Sequence, residues 1–254
     1  KLPKVMLNEK KNFYSRKGNL SEVLNRKQVD TLIHFAGIRK KDCENSINYS
    51  NKSIYILSKY IANEMKALND SIKLIFISSD HVFDGKSRLY TEKNLKNLKP
   101  GTRLGLLKLR VENYIKNYSK NWLIVRLSAV MDDPRLSGFV LKSLQKKKKI
   151  DLFTNVYFSP VIKQDLCNLL LELVKKNVKN RIIHCSGNKR INKYNFYVDL
   201  FGNKKNFQKS KIKINKFHPS DLSMSNKITS SLIRFKFTNF KRSLEITRRN
   251  LKKL

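Results

Sequence analysis

Two rhythms alternate along the first half of this chain. Short runs of consecutive apolar residues stand at 4–7, 29–35 (Val-Asp-Thr-Leu-Ile-His-Phe), 73–76 and 122–127, the pattern of strands buried on both faces. Between them lie segments with apolar residues at helical spacing: a short one at 20–26, then 51–68 with Ile54, Leu57, Ile61 and Leu68 on one face, then 102–118. Strand followed by helix, repeated, predicts an α/β fold with a doubly wound parallel sheet and helices on both faces. After Pro134 the rhythm loosens. A helix is predicted near 139–146, a strand at 151–153, a leucine-striped helix at 163–175, a strand at 181–184 and a terminal helix at 241–254. The organisation expected is a first lobe over 1–134 and a smaller, mixed α/β lobe over 135–254, with no internal repeat.

Composition narrows the class. The chain has 254 residues, 40% hydrophobic and 10% aromatic, enough for a true core. No apolar run approaches the ~18 residues of a membrane span, and the N-terminal residues lack the layout of a signal peptide. Cys43, Cys167 and Cys185 lie far apart in no metal-binding spacing, so a reducing cytoplasm and no metal are expected. The net charge of +36 suggests polyanions. Lysine far outnumbers arginine, however, and the excess is spread along the chain with frequent Asn and Ile, as an AT-rich genome would produce. The basic runs at 146–149, 204–216 and 241–253 are therefore read as solvated surface, attracting polyanions without specificity. Neither a specific nucleic-acid partner nor a membrane is expected.

The segment Ile77-Ser78-Ser79-Asp80-His81-Val82-Phe83-Asp84-Gly85 follows the strand at 73–76. It resembles the "STDYVFDG" signature of the dTDP-4-dehydrorhamnose reductase family. Further matches occur in order. His34-Phe35-Ala36-Gly37 resembles the strand-end "NAAA", Asp42-Cys43-Glu44 with Asn51 resembles "D-x-C-E…N", and Tyr90-Thr91-Glu92 resembles "YTE". Arg126-Leu127-Ser128 is similar to "R-T-S", Phe158-Ser159-Pro160 with Asp165 to "G-S-P-T…D", and His184-Cys185-Ser186-Gly187 to "YHLAG". His218-Pro219-Ser220-Asp221-Leu222 is similar to "RP-x-x-LD". The resemblance implies a Rossmann-like first lobe, residues 161–185 returning to it from the second lobe, and a substrate cleft between the two at the strand ends. It also implies an NAD(P)-dependent oxidoreductase of dTDP-rhamnose biosynthesis that reduces the 4-keto group of a nucleotide-linked deoxysugar and forms a homodimer.

Such a reduction needs a hydride donor and an acid for the developing alkoxide. In the family, a Tyr gives the proton, a Lys four residues later lies on the same helical face, and a Ser or Thr steadies the carbonyl oxygen. Ser79 and Lys108 match the last two, and Leu104 stands at the Tyr position, in Leu104-Gly105-Leu106-Leu107-Lys108 where the family has "YGRSK". A leucine can neither donate a proton nor stabilise an oxyanion. The resemblance further assigns Ala36, Gly37, Asn51, Ser78 and Lys108 to NADP or NAD, and His81, Val82, Phe83 and Ser159 to the substrate. His81, in place of the signature's Tyr, reads first as a packed or solvent-facing residue, with a substitute acid as the alternative. Tyr114 and Tyr118 lie too far along the helix to replace the missing hydroxyl.

A dinucleotide fold opens with a strand, a glycine-rich turn and a helix whose N-terminus holds the pyrophosphate. Gly18 and Gly37 stand alone, and no such turn occurs in the sequence. In the register set by 29–37, residues 4–7 match the family's second strand, so the first strand and its turn would lie upstream. The expectation is a truncated, impaired reductase to which NAD(P) does not bind usefully. The alternative is a non-catalytic relative that binds a nucleotide, a sugar nucleotide or a protein partner.

Overall fold

A computed structural model describes residues 20–252 apart from 36, 39, 203 and 214–218. The strand expected at 4–7, Gly18, Ala36 and His218 lie outside the described residues. The strands are β1 (Thr31–His34), β2 (Lys73–Ser79), β3 (Trp122–Leu127), β4 (Ile150–Phe153), β5 (Tyr157–Phe158), β6 (Arg181–Cys185), β7 (Ile191–Asn192) and β8 (Phe207–Ser210). The helices are α1 (Leu20–Arg26), α2 (Lys40–Asn45), α3 (Ile47–Ser50), α4 (Leu57–Ala67), α5 (Arg103–Tyr118), α6 (Pro134–Gln145), α7 (Lys163–Lys175), α8 (Lys193–Phe201), α9 (Lys227–Ile233) and α10 (Phe240–Leu251).

Four strands form one parallel sheet in the order β1-β2-β3-β6. Their apolar runs have no polar face because both faces are covered. On one side Leu74, Phe76 and Ile124 pack with Ile54, Ile61 and Met65 of the helical segment before and within α4 and with Leu107, Val111 and Ile115 of α5. On the other, Ile75, Ile77, Leu123, Val125 and Ile183 pack with Leu166, Leu169 and Leu173 of α7. This is the doubly wound, Rossmann-like arrangement that the alternating rhythms predict. Strand β6 joins the sheet beside β3 although more than fifty residues of chain separate them, and the C-terminal segment has its own core around Val140, Ile150, Phe158, Phe196, Phe207 and Leu244. That core is completed by two small sheets, β4-β8 parallel and β5-β7 antiparallel.

The predicted helix at 51–68 begins with a π-helical turn, Asn51–Ile56, before α4. There the Ser58 hydroxyl donates to the Ile54 carbonyl at 2.5 Å and lies 2.8 Å from Nε2 of His34, tying the widened turn to β1. Helix α6 starts at Pro134 rather than near 139. Proline has no N–H to lose at the first helical position, so the residue that reads as a break is a start.

A candidate ligand cleft at the strand ends

Strand β2 delivers Ser79 to the end of the sheet, where residues 80–82 form a single 3-10 turn. Helix α5 begins beside that turn. Thr102 caps it by accepting from the Gly105 N–H, and a Cβ on Gly105 would sit 1.9 Å from the His81 carbonyl oxygen. Only a glycine allows this approach, which explains the residue inside the motif at 104–108. The Thr102 hydroxyl is also 3.4 Å from Nδ1 of His81.

The turn opens on a cleft of about 620 Å³. Its strand-end wall carries Ser78, Ser79, Asp80, His81, Ser128 and Lys40; the facing wall is mostly apolar, with Leu136, Phe153, Val156, Tyr157 and Phe158, and adds Lys193. The polar end is tightly connected. The Ser79 hydroxyl donates to Oδ1 of Asp80 at 2.9 Å and accepts from the His81 N–H at 3.2 Å. The Ser128 hydroxyl donates to Oδ2 of Asp80 at 3.4 Å. Burial pushes the Asp80 carboxyl up to about 6, against the pull of Ser79 and Lys193. Lys193 opens α8, with its ammonium 3.5 Å from the Phe158 ring centroid, and burial lowers it to about 8 while Asp80 raises it. Burial, then Lys40 and Lys193, lower His81 to about 3, so its ring is neutral and is no acid near neutral pH.

Behind this wall lies a charged layer sealed from solvent. Ser78, Arg126 and His184 are neighbours across β2, β3 and β6. Glu112 of α5 accepts from Nε and Nη2 of Arg126 at 3.1 and 2.7 Å and from the Ser78 hydroxyl at 2.5 Å, and both charged side chains are 0% exposed. His184 Nδ1 lies 3.9 Å from Glu92.

The expected site residues divide into three groups. Ser78, Ser79 and His81 line the cleft. Lys108 and Leu104 lie next to it but turn away. Lys108 is 5% exposed as a residue; its ammonium donates to the Ile77 carbonyl at 2.8 Å and stands 4.6 Å over the Phe76 ring, and burial lowers it to about 8. Leu104 packs on the α4–α5 core, Gly37 lies against the end of Lys108, and Asn51 starts the π-helical turn. Val82, Phe83 and Ser159, expected to touch substrate, are not on the cleft wall. Val82 and Phe83 form a separate core with Tyr90, Leu222 and Met224, because apolar side chains just past the turn are driven beneath the 84–92 loop. Ser159 is fully buried behind Gly187, whose N–H donates to its carbonyl. Asp80, Ser128, Lys40 and Lys193 were not singled out from sequence. Asp80 and Ser128 sit inside matched motifs, whereas Lys193 is one lysine among many and carries no local signal.

At the two positions that the resemblance assigns to the proton donor and the ribose contact, Leu104 carries no hydroxyl and the Lys108 ammonium is bonded to the Ile77 carbonyl. No metal-binding cluster occurs among the described residues, and no helix among them is long and apolar enough to cross a membrane.

Comparison with known proteins gives a consistent relationship. A dTDP-4-dehydrorhamnose reductase from Bacillus anthracis, solved in complex with NADP, superposes with a TM-score of 0.79 at 18% identity, over 92% of this chain and 84% of that one. A hypothetical dTDP-4-dehydrorhamnose reductase from Sulfolobus tokodaii gives 0.74 at 23%, over 88% and 81%. The dTDP-glucose 4,6-dehydratase of Bacillus anthracis, in complex with NAD, gives 0.76 at 17%, over 92% and 76%. At these identities the likeness establishes the fold. In sequence, the chain is 26% identical over 181 residues to methionine adenosyltransferase 2 subunit beta of Xenopus tropicalis, covering 64% of this chain; it spans about half, 51%, of that relative. The RmlD substrate binding domain matches residues 5–246. With a match across nearly its whole length and the parallel sheet, strand-end serine and glycine-tight helix start in place, the chain belongs to the RmlD substrate-binding domain family.

Proposed function

We propose that this chain binds a nucleotide-linked sugar in the strand-end cleft, as a member of its family in which keto-sugar reduction is impaired. The observation that carries the reading is the pairing of an assembled cleft with a dismantled proton donor. Ser78, Ser79, Asp80 and Ser128 offer a polar end suited to a sugar, and the apolar wall opposite offers surface for a base or a deoxysugar. Leu104, in contrast, packs on the core, and Lys108 is engaged by the Ile77 carbonyl.

Calorimetric titration of this 254-residue chain with dTDP-glucose, UDP-glucose and NADPH tests this. The expected result is micromolar binding of a nucleotide sugar, much weaker or no binding of NADPH, and no oxidation of NADPH when dTDP-4-keto-6-deoxyglucose is supplied. Robust turnover would overturn the impaired reading, and failure of every nucleotide sugar to bind would overturn the ligand. A second reading, as a subunit that binds a protein partner, draws support from the likeness to a protein named as a subunit; a stable complex recovered with the purified protein would favour it.

A further inference from the structure

Tyr157 stands apart from the other aromatic residues of the second lobe. Its neighbour Phe158 turns inward and meets Phe196 edge to face at 5.2 Å in the core. Tyr157 points the other way, as alternation along β5 requires, and lies half-buried on the wall of the cleft. Among the described residues its ring joins neither that core nor any aromatic pair. One face of the ring is taken: the Arg190 guanidinium lies over it, 3.6 Å from the centroid. Arg190 stands just before β7, which pairs with β5, and its charge is already matched. Its Nε and Nη2 both donate to Oδ2 of Asp221, at 2.7 and 2.6 Å, and the Ser223 N–H donates to Oδ1 at 2.9 Å. The backbone of Tyr157 is fixed as well. Its N–H donates to the Ser220 carbonyl at 2.8 Å, and its carbonyl accepts from the Leu222 N–H at 3.0 Å.

A guanidinium already bonded to a carboxylate is a poor anchor for a phosphate. What the Arg190–Asp221 pair contributes is a cation behind the ring and a ring held in one place before any ligand arrives. A flat, fixed π-system on a cleft wall is matched by another flat π-system lying against it. Of the parts of a nucleotide-linked sugar, only the base is planar and aromatic. The polar strand end, with Ser79, Lys40 and Lys193, suits the hydroxyls of the sugar and leaves the ring for the base. Resting on the reading that the cleft holds a nucleotide-linked sugar, we propose that Tyr157 is the platform on which its base stacks, on the side of the ring away from Arg190. Stacking tolerates a change of base because every base has a π-face, so thymine and uracil nucleotides are held alike.

The experiment changes the base without changing its hydrogen-bonding edge. The 254-residue chain is titrated with dTDP-glucose and with the same compound carrying 5,6-dihydrothymine, whose puckered ring has lost its π-face. The wild type is expected to favour the planar base by about tenfold, the scale of one base on one aromatic side chain. Tyr157→Phe should keep that ratio, and Tyr157→Leu should bring it toward one while dTDP-glucose still binds. Tyr157→Trp, which enlarges the face, should raise the ratio and locates the contact if the Leu variant folds poorly. Equal binding of the two compounds by the wild type, or a ratio unmoved by both the Leu and the Trp variants, would overturn the platform alone. So would a loss in Tyr157→Phe as large as in Tyr157→Leu, since the contact would then belong to the phenol hydroxyl. Binding of neither compound would overturn the sugar-nucleotide reading, and the platform with it.

Discussion

Arg126 shows how much one residue in this family frame can be committed to structure. Its guanidinium forms two bonds to Glu112, stacks 5.1 Å from the Phe83 ring and is wholly inside the protein. Such a pair is maintained because removing one partner strands the other charge, not because the pair itself adds much. Arg126→Ala should lower unfolding stability by about 3–5 kcal/mol, measured by urea denaturation. The double variant Arg126→Leu with Glu112→Leu should recover a large part of that loss. If the single variant were as stable as the wild type, the buried pair would be no more than a spectator. Leu104 is the opposite case: a single apolar side chain that packs on the α4–α5 core, at the position where the proposed reading expects a proton donor.

At the scale of elements, the contact between α5 and the turn at 80–82 sets the cleft. Gly105 is the hinge of that contact, since any side chain there would meet the His81 carbonyl. Gly105→Ala should push α5 away from the turn, cost about 1–3 kcal/mol and weaken nucleotide-sugar binding with it. Gly138 in α6 gives the internal control, because a Cβ there meets nothing within 4 Å. Gly138→Ala should stabilise the protein by about 0.5–1 kcal/mol through the lost backbone freedom of the unfolded chain, with ligand affinity unchanged. Thermal melts and titrations on the two variants decide this; equal effects at both glycines would remove the steric account.

On the scale of the whole molecule, three neutral histidines govern the response to acid: His81 at the cleft, lowered to about 3 as described above, and the core residues His34 and His184. Burial, reinforced by Lys108, lowers His34 to about 3, and burial, reinforced by Arg126, lowers His184 to about 3. Between pH 6.5 and 3 the unfolded chain protonates all three while the fold does not. Stability is therefore present above the unfolded value and lost as pH falls toward the folded one, at up to about 1.4 kcal/mol per pH unit for each histidine. Asp80, raised to about 6, acts in the opposite direction between about pH 4 and 6 and offsets part of that slope. Denaturation midpoints across pH 7 to 4 should fall steadily, and His184→Phe should reduce the slope by about one proton. A wild-type curve flat across this range would contradict the neutral state of these rings.

The sheet strands from β1 to β3, together with β6, the paired helices α4, α5 and α7, and the serine at the end of β2 were all readable in the sequence. Each rests on a local signal: a continuous apolar run, a helical stripe, or a motif of consecutive residues. The same locality explains the misses. Helix α8 is rich in Asn, Tyr and Phe with no clean stripe, and strand β8 lies inside a lysine run that reads as surface; both exist because β4 and the Phe158–Phe196 core supply the other half of their burial. The substitution at 104 was visible as a letter, but its destination in the core was not. Least legible was the direction of the protons at the cleft. Sequence places Ser79 and Asp80 side by side, yet which groups converge on that carboxyl depends on Ser128 from the next strand and Lys193 from a distant helix. Local pattern determined which elements form and where the strand-end serine stands. Only the packing of remote elements decided what that serine can offer a ligand, because hydrogen-bond direction and charge state are properties of the surroundings rather than of the residue.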